Sequence, residues 1–421
     1  MRKNNFVSNV DLILVILYFL ILGFGWIALY SAETSQNSFQ LISLNTRPGK
    51  QIIWIVVSII IVIILQFLDY RFYLNFALPI YILSIIFLLT VLFFGVSVAG
   101  SKSWVELFGL RIQPSEFAKF STALLFTQLL SIRKFNLLHF KNVFIIFFVV
   151  ISPFLLILLQ GDFGTALIFS SFIIVLYRDG GISTRLLVIL IGLFTVFILG
   201  ITINSITLTV IIILISLFGI GLSITNQKQI INIIIIAVCA LFVIRGEKFL
   251  LNNVIKSHHK ERIISVLNPN TDPLGVGWSV NQSKIAIGSG GAFGNGYLQG
   301  TQTRFNFVPK QSTDFIFSVI GEEFGFMGSV FFIILYSFFL IRILIVAETQ
   351  KDKFAMLYGY SVFSLFFVHY SLNIAMSMGL FPVIGIPLPF VSYGGSSIIS
   401  FSILFFVFLK FNSYQTNILR R

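Results

Sequence analysis

Apolar stretches of 18 residues or more recur from one end of this chain to the other. That recurrence constrains the fold more than any motif does. Each stretch is long enough to cross the hydrocarbon core of a bilayer as a helix. A spanning segment must satisfy its backbone hydrogen bonds internally, which leaves only helices and closed barrels. Barrel strands alternate apolar and polar residues with a period of two, whereas these runs are continuous. The chain is therefore expected to be all-α, a polytopic transmembrane helix bundle. Its composition agrees, with 57% hydrophobic and 10% charged residues, where soluble domains carry about 25% charged residues.

Spans are expected at about 11–31, 51–68, 74–98, 116–132, 141–160, 163–178, 185–204, 206–224, 228–250, 314–346, 354–380 and 390–410. The total is about twelve, or ten if residues 185–224 form an extra helical hairpin that does not cross. Residues 1–421 read as a single integral membrane domain. Lys and Arg concentrate in one set of alternate short loops, including Arg71, Arg133, Lys134, Lys228, Arg342 and Lys353. The positive-inside rule makes that set cytoplasmic, with both termini inside. The large loop 251–313 is then extracytoplasmic, as are residues 99–115, the turn at 160–162 and the loop 381–396. The start of the chain reads as an uncleaved first span, because its apolar run lacks a small-residue cleavage site.

The net charge of +13 fits the loop bias of a membrane protein and also attraction to an anionic lipid-linked substrate. Nucleic acid is excluded as a partner, since no basic segment is interleaved with exposed aromatics in a soluble domain. The single cysteine, Cys239, can form no internal disulfide. The four histidines show no zinc-ligand spacing.

Charged groups at membrane depth are costly and usually functional. One cluster is Arg111-Ile-Gln-Pro-Ser-Glu116-Phe-Ala-Lys119. Pro114 suits a helix start, Glu116 then lies in the first turn where the dipole favours an anion, and Lys119 shares its face. The cluster is either a capped helix start with an internal Glu–Lys pair, or a cavity lining in which Arg111 and Lys119 bind an anion such as a pyrophosphate. Asp162 is either a helix N-cap or a cavity residue. Asp272-Pro-Leu-Gly275 fits a type I turn. The glycines of 288–300 lack the spacing of a phosphate-binding loop. Residues 381–397 are a Pro- and Gly-broken re-entry, tolerated at membrane depth only when buried in protein or lining a wet cavity.

These segments resemble the SEDS family of bacterial cell-wall polymerases. The matching stretches are RIQPSEFAK (111–119), QGDFGTA (160–166), Asn268–Gly300, TDFIF (313–317) and PLPFVSYGGSS (387–397), in the family's order. Gln282-Ser283-Lys284 and Gly300-Thr301-Gln302 look like the elongation branch, RodA. The resemblance implies an enzyme, a peptidoglycan glycosyltransferase serving cell elongation and rod shape in the bacterial cytoplasmic (inner) membrane. Its substrates would be lipid II and a glycan held on undecaprenyl pyrophosphate. Asp272 falls on the family's essential acidic residue and would act as general base in an inverting transfer. Arg111, Glu116, Lys119, Asp162, Gln282, Ser283, Lys284 and Ser396 are carried over as substrate-binding positions. A divalent cation, Mg or Mn, is the one cofactor considered, with no organic cofactor. Expected partners are a class B penicillin-binding protein and other elongation-complex membrane proteins. The family often has Pro-Glu-x-His-Thr-Asp where this chain has Pro309-Lys310-Gln311-Ser312-Thr313-Asp314, so no role is carried onto Lys310 or Ser312. A lipid II transporter and a non-catalytic scaffold are the competing readings.

Overall fold

A computed structural model describes residues 11–34, 44, 46–98, 100–107, 109–132, 139–179, 181–202, 205–222, 227–249 and 276–419. The chain divides into two compact units, one of Met1–Asp179 with Ser279–Arg421 and one of Gly180–Trp278.

The first unit opens with α1 (Leu12–Glu33), α2 (Arg47–Phe67) and α3 (Tyr70–Phe94). Their starts are chemically marked. The Asp11 carboxylate accepts from the Leu14 N–H at 3.0 Å, and Thr46 caps α2 ahead of Pro48, the usual way of satisfying first-turn donors. A three-stranded antiparallel sheet follows, β1 (Val96–Val98), β2 (Ser101–Leu107) and β3 (Leu110–Ile112). It occupies part of the segment expected as an outward loop. Lys102 on β2 donates to the Leu92 and Phe93 carbonyls at 3.0 Å each, which closes the C-terminal end of α3 with a cation.

Next come α4 (Pro114–Ser131) and α5 (Phe140–Leu159). The stretch expected as one span over 163–178 is broken into α6 (Phe163–Ile168), a 3-10 turn (Phe169–Ser171) and α7 (Phe172–Arg178). The second unit holds α8 (Thr184–Thr202), α9 (Ser205–Leu222) and α10 (Gln227–Phe249), with α8 and α9 both packed on α10. After it come α11 (Val276–Ser289), α12 (Thr301–Arg304), α13 (Ile316–Glu348), α14 (Lys353–Ser377) and α15 (Gly395–Leu419). The first two of these lie inside the region expected as the large loop.

Eight of the described helices are long and apolar enough to cross a membrane, which makes this a multi-pass membrane protein. The two least apolar of the eight, α14 and α15, are the most enclosed, with 67% and 72% of a membrane-length window buried against 11–44% in the others. Among the described residues α4 is enclosed to the same degree. Thirteen of its 18 residues are buried, Ser115, Glu116, Lys119, Ser121, Thr122 and Thr127 among them. Lipid rewards apolar residues only on the faces it touches, so helices at the centre of the bundle are where polar side chains can be carried. α4 packs against α3 and α14, and α2 against α15.

The re-entrant segment before α15 is pinned by one strained residue. Phe390 has φ +67, a conformation that costs a non-glycine residue about 1–3 kcal/mol. Its ring sits among those of Tyr18, Phe366 and Phe401, at centroid distances of 5.0, 5.3 and 6.1 Å. That aromatic packing offsets the strain and fixes where the segment turns.

Candidate functional site

The N-terminus of α4 builds an enclosed polar group in the first unit. Pro114 supplies the fixed φ of a first helical turn, and Glu116 follows in that turn. Both Glu116 and Lys119 are removed from solvent, at 2% and 0% exposure. Lys119 donates to Glu116 Oε1 and Oε2 at 2.9 Å each, and its Nζ lies 3.0 Å from Nε2 of His369 on α14. The Phe401 ring covers the ammonium at 4.4 Å. The Ser400 hydroxyl donates to the Glu116 carbonyl at 2.5 Å. The internal Glu–Lys pair of the sequence reading therefore forms, in a protein interior rather than in an open cavity.

A chain of contacts runs outward from this pair. Asp162 caps α6, its Oδ1 accepting from Thr165 N–H at 3.1 Å and its Oδ2 from the Thr165 hydroxyl at 2.9 Å. Oδ2 also accepts from Gln113 Nε2 at 2.8 Å. Burial pushes the Asp162 carboxyl up, against the pull of Thr165. The Gln113 N–H donates to Ser396 Oγ at 3.2 Å, and Ser396 Oγ lies 3.5 Å from the Arg111 carbonyl. Arg111 itself is open, with its side chain 58% exposed and 3.7 Å from Glu106, its cross-strand neighbour. Gly164 is obligatory here, because a Cβ would collide with the Ile384 carbonyl oxygen of the re-entrant segment.

The same end of the bundle holds further cations. Arg47, at the start of α2, pairs with Glu33 at 2.7 Å and donates to the Ser312 hydroxyl at 2.8 Å. Tyr393 N–H donates to the Ser312 carbonyl at 2.9 Å, and the Ser392 hydroxyl to the Thr313 carbonyl at 2.6 Å. Lys310 lies 3.5 Å from Asp314. The charge reversal at Lys310 thus has a local partner, and Ser312 joins α2 to the re-entrant segment. The chemistry on offer is a rim of three cations, Arg111, Arg47 and Lys310, each beside a carboxylate that an arriving anion would have to displace.

The glycine-rich stretch has a packing explanation. Helix α13 breaks at Gly325, with φ +66. The Phe326 and Met327 N–H groups donate back to the Gly291 and Ala292 carbonyls at 2.9 and 3.0 Å, while Asn295 and Gly296 N–H donate to Glu322 and Glu323 carbonyls at 3.0 and 3.1 Å. Cβ atoms at Gly290 and Gly294 would strike the Gly321 and Glu323 carbonyls. These glycines let backbone lie on backbone, and no phosphate cradle is needed to explain them. The Glu322 carboxylate accepts from the Gln302 and Thr303 N–H groups at 2.7 and 2.9 Å, capping α12.

Asp272 lies outside the described residues. Gln282, Ser283 and Lys284 share α11. Ser283 is buried and donates to the Ser377 carbonyl at 2.7 Å, at the end of α14. Gln282 is half-buried and Lys284 is exposed, its stem lying on Gly379. Arg111, Ser396, Asp162 and Gln113 are brought together. Lys119 is not presented beside Arg111 as expected, because all three of its donors are engaged inside. Sequence reasoning passed over His369, Arg47 and Asn373. A lone histidine within an apolar span is itself a signal, but nothing local names its partner.

The comparisons with known proteins agree along the whole chain. The matching family model is that of FtsW, RodA and SpoVE, described as cell cycle protein, over residues 11–208 and 198–417. The peptidoglycan glycosyltransferase RodA of Treponema pallidum is 32% identical, covering 97% of this chain and 99% of that protein. The peptidoglycan glycosyltransferase MrdB of Escherichia coli is 32% identical, covering 82% of this chain and 80% of its own length. A solved structure reported for a peptidoglycan synthase complex has the same fold, with TM-score 0.71, 24% identity, and 96% of this chain and 99% of that one covered. The chain belongs to the FtsW, RodA and SpoVE family.

Proposed function

We propose that this protein is a peptidoglycan glycosyltransferase of the elongation type, polymerising lipid II at the outer face of the bacterial cytoplasmic membrane, with both termini in the cytoplasm. The observation that carries the reading is the match, over 97% of the chain, to a relative named for that activity. The cationic rim around Arg111 supports it, since both substrates carry pyrophosphate.

In the reaction, the Asp272 carboxylate takes the proton of the acceptor 4-hydroxyl of lipid II. That oxygen bonds to the anomeric carbon of the growing glycan from the face opposite its pyrophosphate. The bond from that carbon to the pyrophosphate oxygen breaks, the leaving group takes the electron pair, and the configuration inverts. Arg111, with its exposed guanidinium, stabilises the charge developing on the leaving group. Lys119 acts one layer behind, holding Glu116. Asp162 and Ser396 fix the backbone that presents Arg111, Gln282 and Lys284 line the acceptor side, and buried Ser283 holds α11 to the end of α14.

Among the described residues no three His, Cys, Asp or Glu side chains gather closely enough to hold a metal. No step is assigned to a cation. A divalent cation would arrive on the substrate's phosphates, a common mode for Mg2+. The proposed transpeptidase partner is a class B penicillin-binding protein within the elongation complex.

The test uses protein purified with that partner and given lipid II. Wild type should build glycan strands, while Asp272→Asn, equally folded and inserted, should lose the activity by about 10²-fold or more. An active Asp272→Asn enzyme would overturn the general-base assignment. Lipid II flipping in vesicles without polymer would favour a transporter.

A further inference from the structure

We infer that His369 is a positioning residue of this site, a neutral bridge that ties Lys119 to the backbone of the re-entrant segment. The inference rests on the reading of Glu116 and Lys119 as parts of the active site.

An ammonium has three donors and no acceptor. Lys119, at 0% exposure, is cut off from bulk solvent. Glu116 accepts two, and the third faces His369 Nε2 at 3.0 Å. For Nε2 to accept, it must carry a lone pair and no proton. The other ring nitrogen, Nδ1, lies 3.2 Å from the Pro387 carbonyl oxygen, which can only accept. The ring's single proton therefore belongs on Nδ1. Both neighbours require one tautomer, and a second proton would set two cations against each other with no lone pair between them.

The bridge has a companion one turn along α14. Asn373 Nδ2 donates to the Ile386 carbonyl at 2.8 Å and to the Asp314 carbonyl at 3.0 Å. One face of α14 thus holds the consecutive carbonyls of Ile386 and Pro387 together with that of Asp314. His369 extends this grip to Lys119. The Phe401 ring packs edge-on to His369 at 4.9 Å and also covers the Lys119 ammonium, so neither side chain can swing away without breaking a packed contact. The re-entrant segment leads directly to Ser396, and α4 begins directly after Arg111. His369 therefore joins the two segments that place the cationic rim.

Two measurements test this. The first reads the imidazole ring directly. Selective 15N-histidine labelling gives four histidines to resolve, with His139, His258 and His259 assigned by substitution to Gln. His369 should show the proton on Nδ1 and an unprotonated, hydrogen-bonded Nε2, and Lys119→Met should shift that Nε2 resonance. A proton on Nε2, or no response to Lys119→Met, would overturn the bridge.

The second measurement is lipid II polymerisation by the complex with its transpeptidase. His369→Phe should lower kcat by about 10- to 100-fold with little change in KM, as expected for misplacing a group that acts in the transition state. His369→Gln, which keeps a donor and an acceptor, should recover most of the loss. Loss that merely follows thermal instability, with no rescue by Gln, would reduce His369 to a packing residue. A wild type that never polymerises lipid II would sink the proposed activity and leave the tautomer result standing.

Discussion

Removing either member of the buried Glu116–Lys119 pair should destabilise the protein more than removing both. Lys119→Met takes away the partner of a carboxylate that is 2% exposed. Its hydrogen bonds at 2.9 Å both come from Lys119, so the charge would be left without compensation in the bundle. Glu116→Gln leaves an equally enclosed ammonium with one amide oxygen and His369. Breaking a buried ion pair from one side costs about 3–5 kcal/mol. The double variant removes both charges and keeps similar volume. Such replacements are often near neutral, so its cost should fall to about 0–2 kcal/mol. In apparent melting temperature each single variant should lose about 5–10 °C, with the double between them and wild type. The assay is thermal unfolding of detergent-purified protein, read by size-exclusion of the remaining folded fraction. A double variant that melts at or below the less stable single variant would refute the reasoning, since it would mean that removing the second charge does not relieve the first. The same three proteins separate stability from catalysis. If the pair serves the active site, the double variant stays folded and still fails to polymerise lipid II.

Two further outcomes follow from the geometry. Gly325→Ala must hold φ +66 and place a methyl against the Gly294 N–H and the Gly290 carbonyl. The backbone term alone costs about 1–3 kcal/mol, and faster limited proteolysis within 290–300 should accompany the lower melting point; unchanged proteolysis would show that the kink does not hold that loop. Burial raises the Asp162 carboxyl, so in the pH window just above the ordinary carboxylate value the folded state keeps a proton that the unfolded chain has released. Stability from this group is full below that ordinary value and is lost as pH rises through the folded one. Asp162→Asn removes the titration, so the melting temperature of the variant relative to wild type should climb from acid toward neutral pH. Parallel pH curves would contradict the assignment.

Much of this was open to reading without coordinates. Hydropathy is a local property, and the polar breaks at Asn204-Ser205 and Asn226-Gln227-Lys228 mark, to within a few residues, where α9 and α10 begin. The helix start at Pro114 and the cap at Asp162 were legible because capping depends on residues three positions apart. The sheet at 96–112 was missed, since short strands within polar turns carry little periodic signal. The break in 163–178 was missed as well, because that apolar run contains no proline.

The sequence by itself determined that this is a membrane helix bundle of the FtsW, RodA and SpoVE family, and that Glu116 and Lys119 share a helix face. The bundle and the shared face live in composition, period and spacing of a few residues, and the family in the motifs that resemble it. Only the tertiary structure decided that Lys119 faces inward to His369, 250 positions away, and that Arg111 is left open at the rim. It also decided that the glycines of 288–300 serve backbone packing against α13. Burial and partnership are set by which helices meet, and in a bundle those contacts join segments that no local pattern relates.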